Sequence, residues 1–158
     1  METERKFLLS SFPTGLPVKE ECVVYQYFLS VEPYVRIREK QKNGKMSYKL
    51  TIKGDGTLSR EEVEFDLDKD KFERLKKLCD KPPVEKIFKA YSLPDGKTLE
   101  CSLVDKNFYY AEVEFESETD AEKFVPTFDF LKETTYDKNF KMNEYWKVTR
   151  LCGGKFQT

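Results

Sequence analysis

The chain contains no histidine, which removes the commonest general base near neutral pH and the commonest zinc ligand. Its four cysteines, Cys22, Cys79, Cys101 and Cys152, form no Cys-x-x-Cys pair and no metal-ligand spacing. They read as small apolar residues of a reduced, cytoplasmic protein. A catalytic cysteine would also lack the histidine that usually activates it. No apolar run near the N-terminus is of the signal-peptide kind, and none is long enough to span a membrane. An excess of charge is missing too. Against 28 basic residues stand 29 acidic ones, so the basic surplus of a general nucleic-acid binder is absent.

What the chain does have is charge and aromatic rings together, at 36% and 15% of its residues. Disordered chains are charged but poor in aromatics, so this one is expected to fold. Its 158 residues suffice for one domain with a real core. The charge is patterned. Glu2, Glu4 and Lys6 are spaced by two, which on a β-strand puts all three on one face. The same spacing recurs in Arg36-x-Arg38, in Lys49-x-Thr51-x-Lys53, in Arg60-x-Glu62-x-Glu64 and in Glu112-x-Glu114. Any one of these is the wet face of a half-buried strand by default. Repeated so often, and built almost wholly from Lys, Arg and Glu, the faces also suit a closed barrel that turns them inward around a polar lumen.

Local signals divide the chain into strands over about 2–10, 21–30, 34–41, 46–53, 59–67, 84–92, 98–105 and 107–116. Asn43-Gly44 marks a hairpin. From Asp68 the period becomes helical, with Phe72, Leu75 and Leu78 as the apolar positions, Asp68 as N-cap and Pro82-Pro83 as the stop. Ser117 opens a short helix reaching Phe124, and 137–147 reads as helical, anchored by Phe140, Tyr145 and Trp146. The expectation is one domain over 1–150 with a loose tail at 151–158.

The ordered set Glu2-x-Glu4-x-Lys6, Arg36-x-Arg38, Leu50-Thr51-Ile52-Lys53-Gly54, Arg60-x-Glu62-x-Glu64 and Ala111-Glu112-Val113-Glu114-Phe115 resembles the CYTH superfamily, the triphosphate tunnel metalloenzymes, and most closely its short bacterial members. The resemblance implies a closed eight-stranded antiparallel β-barrel with helices outside it. It implies a small triphosphate-bearing substrate, and Mg²⁺ or Mn²⁺ as cofactor. Glu2, Glu4, Glu62, Glu64, Glu112 and Glu114 would form the acidic, metal-holding side, with Glu2, Glu4, Glu112, Glu114 and Lys6 as the catalytic set. Lys6, Arg36, Arg38, Lys53, Arg60 and Lys86 would grip phosphate, and Lys138 resembles the basic residue at the tunnel mouth. The chemistry supports this division. Guanidinium and ammonium groups suit a polyanion, and carboxylates suit a hard divalent cation. Opposite charges facing each other would also hold the empty tunnel together, so part of the set is scaffold.

Two positions depart from the family pattern. Phe88 stands where an arginine is usual and Ser102 where an aspartate is. Hydrolysis of the terminal phosphate of inorganic triphosphate is the first functional expectation. A class IV adenylate cyclase, a thiamine triphosphatase with Tyr34, Tyr136 or Trp146 as aromatic wall, and a non-catalytic triphosphate-binding module are the alternatives. The oligomeric state stays open.

Overall fold

A computed structural model describes all residues, 1–158. Its elements are β1 (Glu2–Leu9), β2 (Val18–Ser30), β3 (Tyr34–Lys42), β4 (Lys45–Lys53), β5 (Ser59–Arg60), β6 (Glu62–Leu67), α1 (Lys69–Lys76), β7 (Val84–Ser92), β8 (Thr98–Val104), β9 (Phe108–Phe115), α2 (Glu118–Lys123), β10 (Lys132–Glu133) and α3 (Met142–Trp146), the last continued by a π-helical turn, Lys147–Leu151. The strands form one antiparallel sheet in the order β10-β1-β9-β8-β7-β2-β3-β4-β6. Eight long strands curl into a nearly closed barrel.

Closure comes from a single segment. The strand expected over 59–67 is divided at Glu61. Ser59 and Arg60 pair with Thr3 and Glu2 of β1, while Glu62–Leu67 pairs with β4. One stretch of chain thus serves both edges. The rest of the β1 edge is met by β10 and by backbone bonds from Leu131 to Leu8 and from Thr134 to Lys6, each 2.8 Å. The approach to β5 needs Gly56, whose φ is +143° and where a Cβ would lie 2.0 Å from the Ser59 carbonyl oxygen. At the β3–β4 hairpin Asn43 and Gly44 have φ of 52° and 75°, as the tight turn requires.

Strand alternation then sorts the side chains. The outward set of β1, β8 and β9 (Phe7, Leu9, Leu99, Cys101, Ala111, Val113, Phe115) packs under α2 and the chain beyond it. Phe72 of α1, fully buried, sits on Tyr27 and Ile37, a burial that contributes about 2–3 kcal/mol. The inward set changes character along the barrel. At one end Leu8, Phe28, Val84, Val104 and Phe108 are apolar and meet Tyr145 and Trp146 of α3, which close that end. From Lys6, Gln26, Arg36, Lys86 and Glu112 onward the same strand faces are polar.

Two local expectations are corrected. Helix α1 ends at Lys76, well before the prolines, because its last turn tightens through Leu78 N–H to Leu75 O and Cys79 N–H to Lys76 O, and Leu78 is exposed instead of packed. Residues 137–141 are not helical. The Asp137 carboxylate accepts from the Asn139 amide, a local turn that competes with the helix. The tail beyond Gly153 has no regular element, but Phe156 stacks on Phe108 and packs edge-on against Tyr145.

Candidate active site

The charged section of the barrel encloses a cavity of about 170 Å³. Seven basic residues (Lys6, Arg36, Arg38, Lys53, Arg60, Lys86, Lys141) and seven glutamates (Glu2, Glu4, Glu62, Glu64, Glu100, Glu112, Glu114) line it, so the walls carry formal charge balance. Parity places them. Lys6, Glu4 and Glu2 alternate with Phe7, Arg5 and Thr3, and Arg5 faces outward to grip Glu133 and the Ala121 and Phe124 carbonyls behind α2.

Twelve of the thirteen site residues expected from the sequence meet in this cavity. The exception is Lys138. It is exposed and off the lining, while Lys141 lines it. Glu100, Tyr34 and Tyr110 also line the cavity; none was among the expected site residues, Tyr34 entering only as an aromatic wall for thiamine triphosphate. Their signal was present in the parity, since each lies two residues from an expected site position (Tyr34 from Arg36, Tyr110 from Glu112) or, for Glu100, from Ser102. Of the three aromatics considered for an organic wall, only Tyr34 lines the cavity. Trp146 is buried at the closed end and Tyr136 is exposed.

The acids divide into two groups. Carboxylate oxygens of Glu2, Glu4 and Glu114 lie within 4.8 Å of one another, and Glu4 Oε1 is buried with no hydrogen-bond partner. Three hard oxygen donors with an orphaned buried oxygen among them fit a divalent cation. Glu62 and Glu64 are placed otherwise. Glu62 approaches Lys53 at 3.5 Å, and Glu64 takes Thr51, Lys49 and Arg38 at 2.9, 3.1 and 3.8 Å. Glu112 stands among the lysines. Burial alone would raise it, yet the Glu4 hydrogen bond and the charges of Lys86, Lys6 and Lys53 hold it well below the usual carboxylate range. Burial and the neighbouring Glu112 push Glu4 well up, so the two carboxyls are driven in opposite directions. Burial, with Glu112 and Glu114 nearby, raises Glu100 to about 8.

The bases divide as well. Lys53 contacts Glu2 at 3.1 Å, Arg60 contacts Glu2 at 3.6 Å and Lys6 reaches Glu4 at 4.0 Å. Arg36 and Lys86, both buried, contact no carboxylate and donate instead to the hydroxyls of Tyr34 and Tyr110, each at 2.7 Å. Burial pushes the Lys86 ammonium down to about 7. The departure positions face each other as direct partners, Phe88 opposite Ser102 on β7 and β8.

No family model matches the chain. It is 33% identical over 147 residues to an inorganic triphosphatase of Nitrosomonas europaea, spanning 89% of this chain and 93% of that one. Its fold is similar to the crystal structure of the inorganic triphosphatase NE1496, with a TM-score of 0.63 and 30% identity over 92% of this chain and 93% of that one. It is also similar in fold to the PH1819 protein from Pyrococcus horikoshii OT3, with a TM-score of 0.60 and 23% identity over 84% and 95% of the two chains. With that identity spread over nearly the whole of both sequences, on a barrel whose lumen carries the charge, the chain belongs to the family of the Nitrosomonas inorganic triphosphatase.

Proposed function

We propose that this chain is a metal-dependent triphosphatase that removes the terminal phosphate of inorganic triphosphate, and that its family is the CYTH superfamily its sequence resembles. One observation carries the reading. Two buried cations, Arg36 and Lys86, donate to phenols and contact no carboxylate, while carboxylate oxygens of Glu2, Glu4 and Glu114 converge within 4.8 Å of one another in the same lumen. Cations held by phenols suit a polyanion, and converging carboxylates beside them suit a divalent ion bridging to it.

In this reading Glu2, Glu4 and Glu114 hold Mg²⁺ or Mn²⁺, the usual ions for carboxylate and phosphate oxygens. When bound, such an ion screens phosphate charge and acidifies water. Arg36, Arg38, Lys53, Arg60, Lys86 and Lys6 grip the phosphate oxygens. Arginine does so through its fork of donors and lysine as a point charge. Lys141 takes the place proposed for Lys138. With no histidine in the chain, a lumen carboxylate is the proton acceptor on offer. Residues 1–150 act as one domain. The four cysteines are free, in keeping with a reducing cytoplasm, and no helix is long and apolar enough to cross a membrane.

The test supplies inorganic triphosphate, ATP and thiamine triphosphate separately, with Mg²⁺ or Mn²⁺. Orthophosphate and pyrophosphate from the first, without cyclic nucleotide from ATP, is the expected result. Cyclic AMP with pyrophosphate would establish a cyclase. Preferential release of orthophosphate from thiamine triphosphate would establish that substrate, and tight binding without turnover would establish a binding module.

A further inference from the structure

The two tyrosines of the lumen occupy a distinct layer. Tyr34 and Tyr110, each 4% exposed, stand where the inward strand faces change from charged to apolar. Behind them lie Phe28 and Phe140, packed on their rings edge to face at 5.0 and 5.8 Å. In front, the Tyr34 ring lies 5.2–5.6 Å from the cationic groups of Arg36, Lys53 and Arg60, and the Tyr110 ring lies 5.2 Å from the Lys86 ammonium. The Nε of Arg36 is buried with no partner.

We propose that Tyr34 and Tyr110 are positioning and selectivity residues, which with Arg36 and Lys86 form a pocket for the end phosphate of the chain at the closed end of the lumen. This rests on reading the lumen as a triphosphate site. A phenol oxygen is both donor and acceptor. While it accepts from Arg36 or Lys86, its own O–H is free to donate elsewhere. The cation is thereby aimed without being neutralised, as a carboxylate partner would neutralise it. No ion pair has to be broken when phosphate enters, and each arm presents a charged donor beside a neutral one. An end phosphate has three non-bridging oxygens to meet these donors, one more than an internal phosphate. The aromatic layer behind the phenols stops the chain there.

The experiment compares Tyr34→Phe, Tyr110→Phe and the control Tyr109→Phe, which lies on the outer face. Calorimetry measures tripolyphosphate without metal, orthophosphate without metal, and Mn²⁺ alone. Each lumen variant should bind tripolyphosphate and orthophosphate about ten-fold more weakly, the loss of one hydrogen bond to a charged acceptor. Mn²⁺ binding should be unchanged, and the rise in KM should exceed any fall in kcat. Tyr34→Leu, which also removes the ring above three cations, should weaken anion binding further. If both Phe variants bind both anions as tightly as the parent, the phenols are packing alone and this proposal fails while triphosphate hydrolysis stands. Equal losses for Mn²⁺ and phosphate would also overturn it, since they would mean a deformed lumen. A parent chain that binds neither anion would overturn both readings.

Discussion

At the scale of single residues, environment separates side chains that are chemically identical. Glu4 and Glu112 are both lumen carboxylates, but burial and Glu112 push the first up while Glu4 and the surrounding lysines hold the second down. Glu4→Gln removes a carboxyl whose charged form burial and Glu112 disfavour, and the cation-free protein should melt within a degree or two of the parent. Its activity should fall by orders of magnitude and its metal requirement should rise, because a neutral amide is a poor ligand for a divalent ion. Glu112→Gln should instead destabilise by about 1.5–3 kcal/mol, the worth of a hydrogen bond to a charged group, as Lys6, Lys53 and Lys86 lose their shared counter-charge. Denaturant titrations of the two variants, equal in effect, would contradict this division. Lys86 supplies a pH test. Its pKa of about 7 in the empty lumen means that it is largely neutral at pH 8.5, and a bound polyanion favours its charged form. Tripolyphosphate binding at pH 8.5 should take up close to one proton, seen as buffer-dependent heat, and affinity should decline as pH rises above 7. Lys86→Met should abolish most of the uptake.

At the scale of elements, closure and register hold the predictions. Gly56→Ala would place a methyl group 2.0 Å from the Ser59 carbonyl, so the backbone carrying Ser59 and Arg60 must shift. Those two residues are the ladder between β5 and β1. The variant should lose about 2–4 kcal/mol, in the range for a severe backbone clash, and bind tripolyphosphate more weakly because Arg60 is misplaced. Stability and affinity equal to the parent would show that the β5 ladder is dispensable. On β7 and β8, Phe88 faces Ser102 directly. Phe88→Arg alone or Ser102→Asp alone introduces an unpaired charge into the lumen wall, whereas the double change supplies both partners. A double-mutant cycle should give a favourable coupling of about 1 kcal/mol or more, and strict additivity would deny that the two side chains meet.

At the scale of the whole molecule, one acidic residue fastens the closed end. Asp105 accepts from Arg150 at 2.7 Å, from the Tyr145 hydroxyl at 2.5 Å and from the Glu85 amide at 2.9 Å, and Arg150 also donates to the Pro83 carbonyl. The cluster ties the C-terminal helical segment to the end of the barrel. Burial would raise Asp105, but Arg150, Tyr145 and the Glu85 amide outweigh it and hold the carboxyl below its ordinary range. A depressed folded pKa stabilises at any pH above the unfolded value near 3.8, and the benefit is lost as pH falls through the folded value. Asp105→Asn should therefore cost about 2–3 kcal/mol at pH 7 and progressively less below pH 3.8. A difference from the parent that persists unchanged at the lowest pH would rule out the charge as its source.

Much of this protein was legible along the chain because strand parity is a local property. Glu2, Glu4 and Lys6 share a face whatever surrounds them, and so do Arg36 with Arg38 and Glu112 with Glu114. The alternation of the strands and the shared faces of eleven of the thirteen expected lumen residues followed from that period of two. The Asn43-Gly44 hairpin followed from turn chemistry, and Lys86 and Lys138 rested on the family resemblance. Parity says which residues share a face, but not what that face meets. Whether the charged faces turned to water or to one another was decided by closure, and closure hangs on two residues, Ser59 and Arg60, that the local pattern merged into a longer strand. Lys138 was expected from the family resemblance alone, and it is Lys141 that lines the cavity. The pairing of Arg36 and Lys86 with phenols, and of Lys53 and Arg60 with Glu2, depends on contacts between strands far apart in the chain. So does the choice of closed end, made by Tyr145 and Trp146 packing over apolar positions of five different strands. Sequence by itself determined the inventory of charges and their alternation. Only the tertiary structure decided which charges neutralise each other and which are left for a ligand, because that depends on distances the chain does not encode locally.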